Sequence, residues 1–439
     1  MTQPSAPAPT PADPDGWRFE TKQVQAGHTP DSDTGSRAIP IYQTTSFVFP
    51  SAAEAADRFA LSSLGPIYTR LDNPTNQIVA SRIAALEGGV GAHFVASGSA
   101  AEALTLLTLG GQGSSVVASP SLYGGTANLL THTLPRLGMT ARFVADPADP
   151  DAWAALADET TIAFYGESIP NPKGDILDIE ALSEIAHQNG IPLVVDNTIG
   201  TPYNVRPFEH GADIVVESTT KFLSGHGTSL GGAIVEKGDF DWANGKFPLL
   251  SEPDESYNGL TFASIGPGAF VTRIRAVLLR DTGAVISPFN AFLLAQGLET
   301  LSLRVERHLS NAKAVVEFLD RHEGVESVRH SSLVSSPYYE LAQKYAPKGA
   351  GSVFTFEIKG GADAGKRFIE ALKLFSNVAN VGDVRSLAIH PASTTHSQMT
   401  EEELLAAGIT SGTVRLSIGI ESIEDILADL DQAIAAATA

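Results

Sequence analysis

The sequence predicts an α/β protein: a large domain built on a mostly parallel sheet, followed by a smaller α+β domain. Three observations carry that prediction. Between about residues 76 and 275, short apolar runs alternate with amphipathic stretches of helical period, the pattern of buried strands joined by crossover helices. After about residue 285 the pattern changes to long helical stretches, one alternating strand and a closing helix. The length, 439 residues, exceeds what one core comfortably fills, so two domains are expected.

The elements follow in order. Residues 1–16 (MTQPSAPAPTPADPDG) lack any apolar period and predict a disordered tail. His93–Ala96 is a short apolar run leading into Ser97-Gly98-Ser99 and a helical stretch, Ala100–Leu109. Thr161–Tyr165 is a second strand candidate that ends in a Pro/Asn/Gly loop. Ile179, Leu182, Ile185 and Ala186 stand at helical spacing, with Gly190 as a stop. Strands are then expected at Ile191–Val195, Asp213–Val216 and Gly231–Val235, and no fixed-period repeat appears. Further on, Gly351–Ile358 alternates like a half-exposed strand. Ser422 fits a helix N-cap, and Ile423, Ile426, Leu427, Leu430 and Ile434 form the apolar stripe of the last helix.

Composition excludes whole classes of function. A net charge of −21 and a pI near 4.8 repel phosphate backbones and anionic lipid, which disfavours nucleic acid and membranes as partners. No apolar run has the length of a membrane span and no basic-then-apolar leader opens the chain, so a cytoplasmic protein is expected. With no cysteine, disulfides, thiolate metal sites and cysteine nucleophiles are all ruled out. The histidines show no metal-ligand spacing, and His226, His390 and His396 read as polar packing residues.

Ligands of parallel α/β sheets bind beyond the carboxyl ends of the strands. Those ends here hold Ser97-Gly98-Ser99 opening a helix, Asp196 with Asn197 and Thr198, and Ser218-Thr219-Thr220-Lys221. Singly, each is ordinary: a cap, a loop residue, a solvated lysine. Jointly they offer an anion cup of free amides, a carboxylate, two hydroxyls and an amine on one rim. That is the set pyridoxal phosphate requires: an amine for its aldehyde, amides and hydroxyls for its phosphate, and an acid beside its ring nitrogen. Two glycine patterns carry no such weight. Gly360-x4-Gly365-Lys366 has Arg367 where a P-loop needs Ser or Thr, and Gly225-x-Gly227-x-x-x-Gly231 has one residue too many for a dinucleotide fingerprint.

Seven stretches carry a resemblance: YTRLDNPT (68–75), SLYGGT (121–126), ESIPNP (167–172), VVDNT (194–198), ESTTKFLSGHG (217–227), NVGDVRSLAIHPASTTH (380–396) and VRLSIGIE (414–421). In order and spacing they resemble the Cys/Met-metabolism family of pyridoxal-phosphate enzymes, from residue 20 to 435. The resemblance implies the fold type I architecture, with residues 17–75 as an arm contacting a neighbouring subunit, 76–285 as the large domain and 286–439 as the small one. It implies that Lys221 carries the cofactor as a Schiff base and shuttles protons. Asp196 would pair with the ring nitrogen, Tyr123 would stack on the ring and help handle protons, and Asn171 would face the cofactor's phenolic oxygen. Gly98 and Ser99, with Thr198, Ser218 and Thr220, would line the cofactor's place and hold its phosphate. Tyr68 and Arg70 would reach into the neighbouring subunit's phosphate site, in a homotetramer of two catalytic dimers. Arg415 would grip the substrate carboxylate, helped by Asn380, Val381 and Thr395.

Within that family, SEPDESYNGL (251–260), RDTGAVISPFNAFLLAQGLETLSLRVERH (280–308) and the stretch after Asn380 resemble the branch that acts on O-acetylhomoserine with sulfide. The implied reaction is γ-replacement, giving homocysteine and acetate, with methanethiol as another possible donor and methionine as its product. A methionine γ-lyase and a cystathionine γ-synthase are the alternatives. Two departures stand out: Ala379 where cystathionine-handling relatives place Glu, and Asn258 where His is usual.

Overall fold

A computed structural model describes residues 16–63, 65–394 and 408–439. The tail expected at 1–16 therefore falls almost wholly outside the described residues, as do Thr395 and His396. Seven strands form the first sheet: β1 (Gly91–Val95), β2 (Ser115–Ala118), β3 (Thr140–Phe143), β4 (Thr161–Glu167), β5 (Leu193–Asp196), β6 (Ile214–Glu217) and β7 (Gly232–Glu236). Their spatial order is β1-β7-β6-β5-β4-β2-β3. The run from β6 through β3 is parallel, while β7 is antiparallel to both of its neighbours. This is the mixed, mostly parallel sheet of fold type I enzymes, with a smaller α+β part behind it.

The continuous apolar runs have a direct cause. Phe164, Val195 and Val215 enter one hydrophobic cluster, while Ala163, Tyr165, Val194, Ile214 and Val216 enter another on the opposite face. Both faces are covered, so every position of β4, β5 and β6 must be apolar or paired. The boundaries shift slightly from expectation for local reasons. Pro192 cannot donate to a ladder, so β5 starts at Leu193. Asp213 stands just before β6 because its carboxylate takes the Leu193 N–H (2.9 Å) and the His187 ring (2.9 Å).

The second sheet contains β8 (Val325–Arg329), β9 (Val353–Ile358), β10 (Ser376–Asn377), β11 (Leu387–Ile389) and β12 (Thr413–Ser417), ordered β10-β11-β12-β9-β8. The strand expected to be half exposed is β9, and that expectation fails. Phe354, Phe356 and Ile358 pack beneath the helices Leu301–Leu319 and Ile423–Thr438, whereas Val353 joins a core of the large sheet and Thr355 is also buried. Strand β9 is thus covered on both sides, while β8 and β10 at the sheet edges carry exposed residues. Ser422 stands at the N-cap position of the last helix, but its hydroxyl bonds Glu424 rather than a backbone N–H. The false P-loop is the start of the helix Gly361–Ala371, and Arg367 bonds the Ala437 carbonyl near the chain end (3.1 Å). His390 is buried between Ser393 and the Ser411 carbonyl, while His226 is exposed and bonds its own loop. Among the described residues no group of side chains could hold a metal ion, and no helix is long and apolar enough to cross a membrane.

Candidate active site

The carboxyl ends of β4, β5 and β6 lie side by side, with Glu167 in register with Asp196. Beyond them is a cavity of about 220 Å³ lined by Gly98, Ser99, Tyr123, Asn171, Asp196, Thr198, Ser218, Thr220, Lys221, Asn380, Val381 and Arg415, among others. Twelve of the residues singled out in the sequence therefore share one cavity. Tyr68 and Arg70 do not line it; Arg70 lies over the Tyr68 ring and bonds the Arg280 carbonyl elsewhere on the molecule. Asn258 lines a different, larger cavity with Tyr257 and Arg280. It adopts the left-handed conformation (φ 54°) that asparagine tolerates better than most residues.

Each side chain is held by its element. Ser97 caps the helix Gly98–Leu109 by accepting the Ala100 N–H (3.1 Å), which leaves the first N–H groups of Gly98 and Ser99 facing the cavity. Gly98 is required there: a Cβ would fall 2.6 Å from the Ser218 Cβ. Thr198 accepts the Ser218 N–H (2.8 Å), joining the loops after β5 and β6. The Thr220 hydroxyl is tied to Gly231, donating to its carbonyl (3.2 Å) and accepting its N–H (3.1 Å). Lys221 follows in a turn closed by its N–H to the Ser218 carbonyl (3.1 Å).

The electrostatics are unusual. Asp196 is buried and accepts the Thr198 N–H (2.8 Å), and desolvation pushes its pKa up to about 6. Burial, then the Arg415 charge, lowers the pKa of Lys221. Its Nζ donates to Asn380 Oδ1 at 2.6 Å, while Arg415 donates to the Asn380 carbonyl at 3.2 Å. Burial pulls Arg415 itself down to about 10. Two further carboxyls, absent from the sequence reading as site residues, line the same cavity. Burial and then Asp196 push Glu102 up to about 8, and the same causes push Glu167 well above the carboxylate range. Glu167 opens the ESIPNP stretch and ends a strand as Asp196 does, a signal that could have found it.

These residues fit pyridoxal phosphate. The cup at Gly98 and Ser99 has room for an anion only because no Cβ fills it, and Asn171 Oδ1 is buried in the cavity wall with no partner. A buried carboxyl and a desolvated amine complete the donor set.

Comparison with known proteins agrees. The family model described as Cys/Met metabolism PLP-dependent enzyme matches residues 20–435. The O-acetyl-L-homoserine sulfhydrylase of Corynebacterium glutamicum is 52% identical over 427 residues, covering 96% of this chain and 98% of that one. The enzyme of the same name from Leptospira meyeri is 51% identical over 431 residues, covering 96% and 97%. A solved Campylobacter jejuni structure, described as an O-acetylhomoserine (thiol)-lyase with N'-pyridoxyl-lysine-5'-monophosphate, superposes with a TM-score of 0.93 at 42% identity, covering 95% of this chain and 100% of that one.

Proposed function

The chain belongs to the Cys/Met metabolism family of PLP-dependent enzymes, and from that premise we propose that it performs γ-replacement on O-acetyl-L-homoserine. Sulfide is the incoming group, and L-homocysteine and acetate are the products, a step of methionine biosynthesis. One observation carries the reading: the amine of Lys221 and the guanidinium of Arg415 meet at Asn380 within one cavity. Removal of a proton next to an amino-acid carboxylate needs that juxtaposition. The choice of ester and thiol is supported by the sulfhydrylase relatives, which are about half identical over nearly their whole length.

Pyridoxal phosphate, when bound, supplies the aldehyde that Lys221 captures and the electron sink that stabilises a carbanion. Gly98, Ser99, Ser218 and Thr220 would hold its phosphate, and Asn171 and Tyr123 would flank its ring. Asp196 would keep the ring nitrogen protonated. Arg415 grips the substrate carboxylate and orients the α-hydrogen toward Lys221. Burial, then the Arg415 charge, lowers the Lys221 pKa, which favours the free amine that a base requires. Lys221 would take the α-proton and then a β-proton, acetate would depart from the γ-carbon, hydrosulfide would add in its place, and protons would return from Lys221 to the β- and α-carbons. Ala379 lines the cavity beside Asn380 and gives a distal ammonium no partner, which favours sulfide over cysteine.

Tyr68 and Arg70 belong to this reading through a second subunit. They lie in the 17–75 arm, away from the cavity of their own chain, and complete a partner's phosphate site in a tetramer of two catalytic dimers. The purified protein should be yellow, and borohydride should fix a pyridoxyl group on Lys221. It should then make homocysteine from O-acetylhomoserine only when sulfide is added. Formation of 2-oxobutanoate without added sulfide would assign it instead to a γ-lyase.

A further inference from the structure

Glu167 has no part in the chemistry above, yet it lines the same cavity, is only 6% exposed, and stands beside Asp196 at the end of β4. Its Oε1 accepts the backbone N–H of Tyr123, the N-cap residue of the short helix Gly124–Asn128. The Asn171 N–H also faces this carboxyl and lowers its pKa against the larger effect of burial. The Tyr123 side chain, by contrast, is half exposed, so the packed core does little to fix it.

We propose that Glu167 is a positioning residue: its carboxyl anchors the backbone of Tyr123 beside Asn171 and thereby sets the Tyr123 ring against the cofactor's place. The proposal rests on the reading that this cavity takes pyridoxal phosphate. Two features of the surroundings support it. A Cβ at Gly125 would overlap the Tyr123 ring, so the ring lies directly against the turn that its own backbone opens. The groups that face Glu167 are Asp196 on β5, Glu102 on the helix Gly98–Leu109, the Tyr165 hydroxyl on β4 and the N–H groups of Tyr123 and Asn171. Burial, with Asp196 and Glu102 beside it, raises the Glu167 pKa and so favours its neutral form. What the anchor needs is reach and an acceptor oxygen, not charge.

That distinction is testable with three variants of the holoenzyme. Glu167→Gln keeps the length and the acceptor. Glu167→Asp keeps the acid but falls one methylene short, and Glu167→Ala removes both. The readouts are visible-region circular dichroism of the bound chromophore, which senses the aromatic ring beside it, the cofactor dissociation constant, and kcat and KM. The Gln variant is expected to match the parent within about twofold. The Asp and Ala variants are expected to alter the visible dichroism and to lose about tenfold in kcat, the scale of one lost buried hydrogen bond, with KM little changed. A Gln variant as damaged as Ala, or an Asp variant with parental dichroism and rate, would overturn the proposal, and this Gln–Asp pair decides even where Ala does not fold. A parental protein with no visible band and no pyridoxyl group on Lys221 after borohydride would instead overturn the cofactor reading, and this inference with it.

Discussion

Replacing Gly98 by alanine tests the anion cup with a single methyl group. The added Cβ would lie 2.6 Å from the Ser218 Cβ, 3.0 Å from its Cα and 3.1 Å from its Oγ. Carbon atoms pack at about 3.5–4.0 Å, so the methyl is about 1 Å too close to atoms borne by backbone, which cannot swing aside. Over-packing of this kind costs about 1–3 kcal/mol. Only two segments can give way, the start of the helix Gly98–Leu109 and the loop after β6, and both are proposed phosphate holders. Strain released by moving them reappears as misplaced donors. The expected result is a cofactor dissociation constant raised about five- to hundredfold, followed by absorbance titration of the cofactor-free protein. Thermal melting of that cofactor-free protein separates any loss borne by the fold from the loss borne by the site. Parental cofactor affinity in Gly98→Ala would refute the placement of the phosphate at this helix start.

Three further outcomes are expected. Asp196 has a pKa lifted to about 6 from 3.8 by burial; the stability it contributes is full below 3.8 and lost as pH rises through about 6. Asp196→Asn should therefore melt higher than the parent at neutral pH when cofactor-free, yet lose about a hundredfold or more in kcat when loaded; a near-parental rate would reduce Asp196 to a loop cap. Inactive Arg70→Ala and Lys221→Ala chains, dissociated and reassembled together, should regain activity, because some hybrid dimers hold one site with both groups intact. Persistent inactivity in demonstrated hybrids would refute a shared site. With O-acetylhomoserine, sulfide should outpace cysteine by at least about tenfold, measured by product chromatography; equal rates would remove Ala379 from the argument about substrate choice.

How much of this was legible in the sequence depends on what each residue answers to. Asp196 and Gly98 were readable because each closely follows an apolar run, and Lys221 because it closes the polar stretch after one; strand ends announce themselves by the switch from apolar to polar. The reversal of β7 was not, since its residues Gly232–Glu236 are buried like their parallel neighbours and the turn back is made by the loop before it. The burial of β9 was hidden for a related reason. Its alternation reads as one dry face and one wet face, but the second face is dried by the large domain, which local pattern does not report. Glu167 went unread because a carboxylate at a strand end looks solvated until its neighbours Asp196 and Glu102 are placed around it.

The bond between Lys221 and Asn380 crosses from one sheet's rim to the other's. Lys221 is carried by the loop after β6, and Asn380 lies between β10 and β11 in the smaller sheet. The cavity thus has its floor on one layer and its roof on another, and the amine reports their separation. A shift of the roof by about 1 Å would take Nζ beyond hydrogen-bond reach of Asn380 and carry Arg415 away with the same strand layer. Substitutions deep in the seam between the layers, far from any reacting atom, would then change proton transfer and carboxylate grip together.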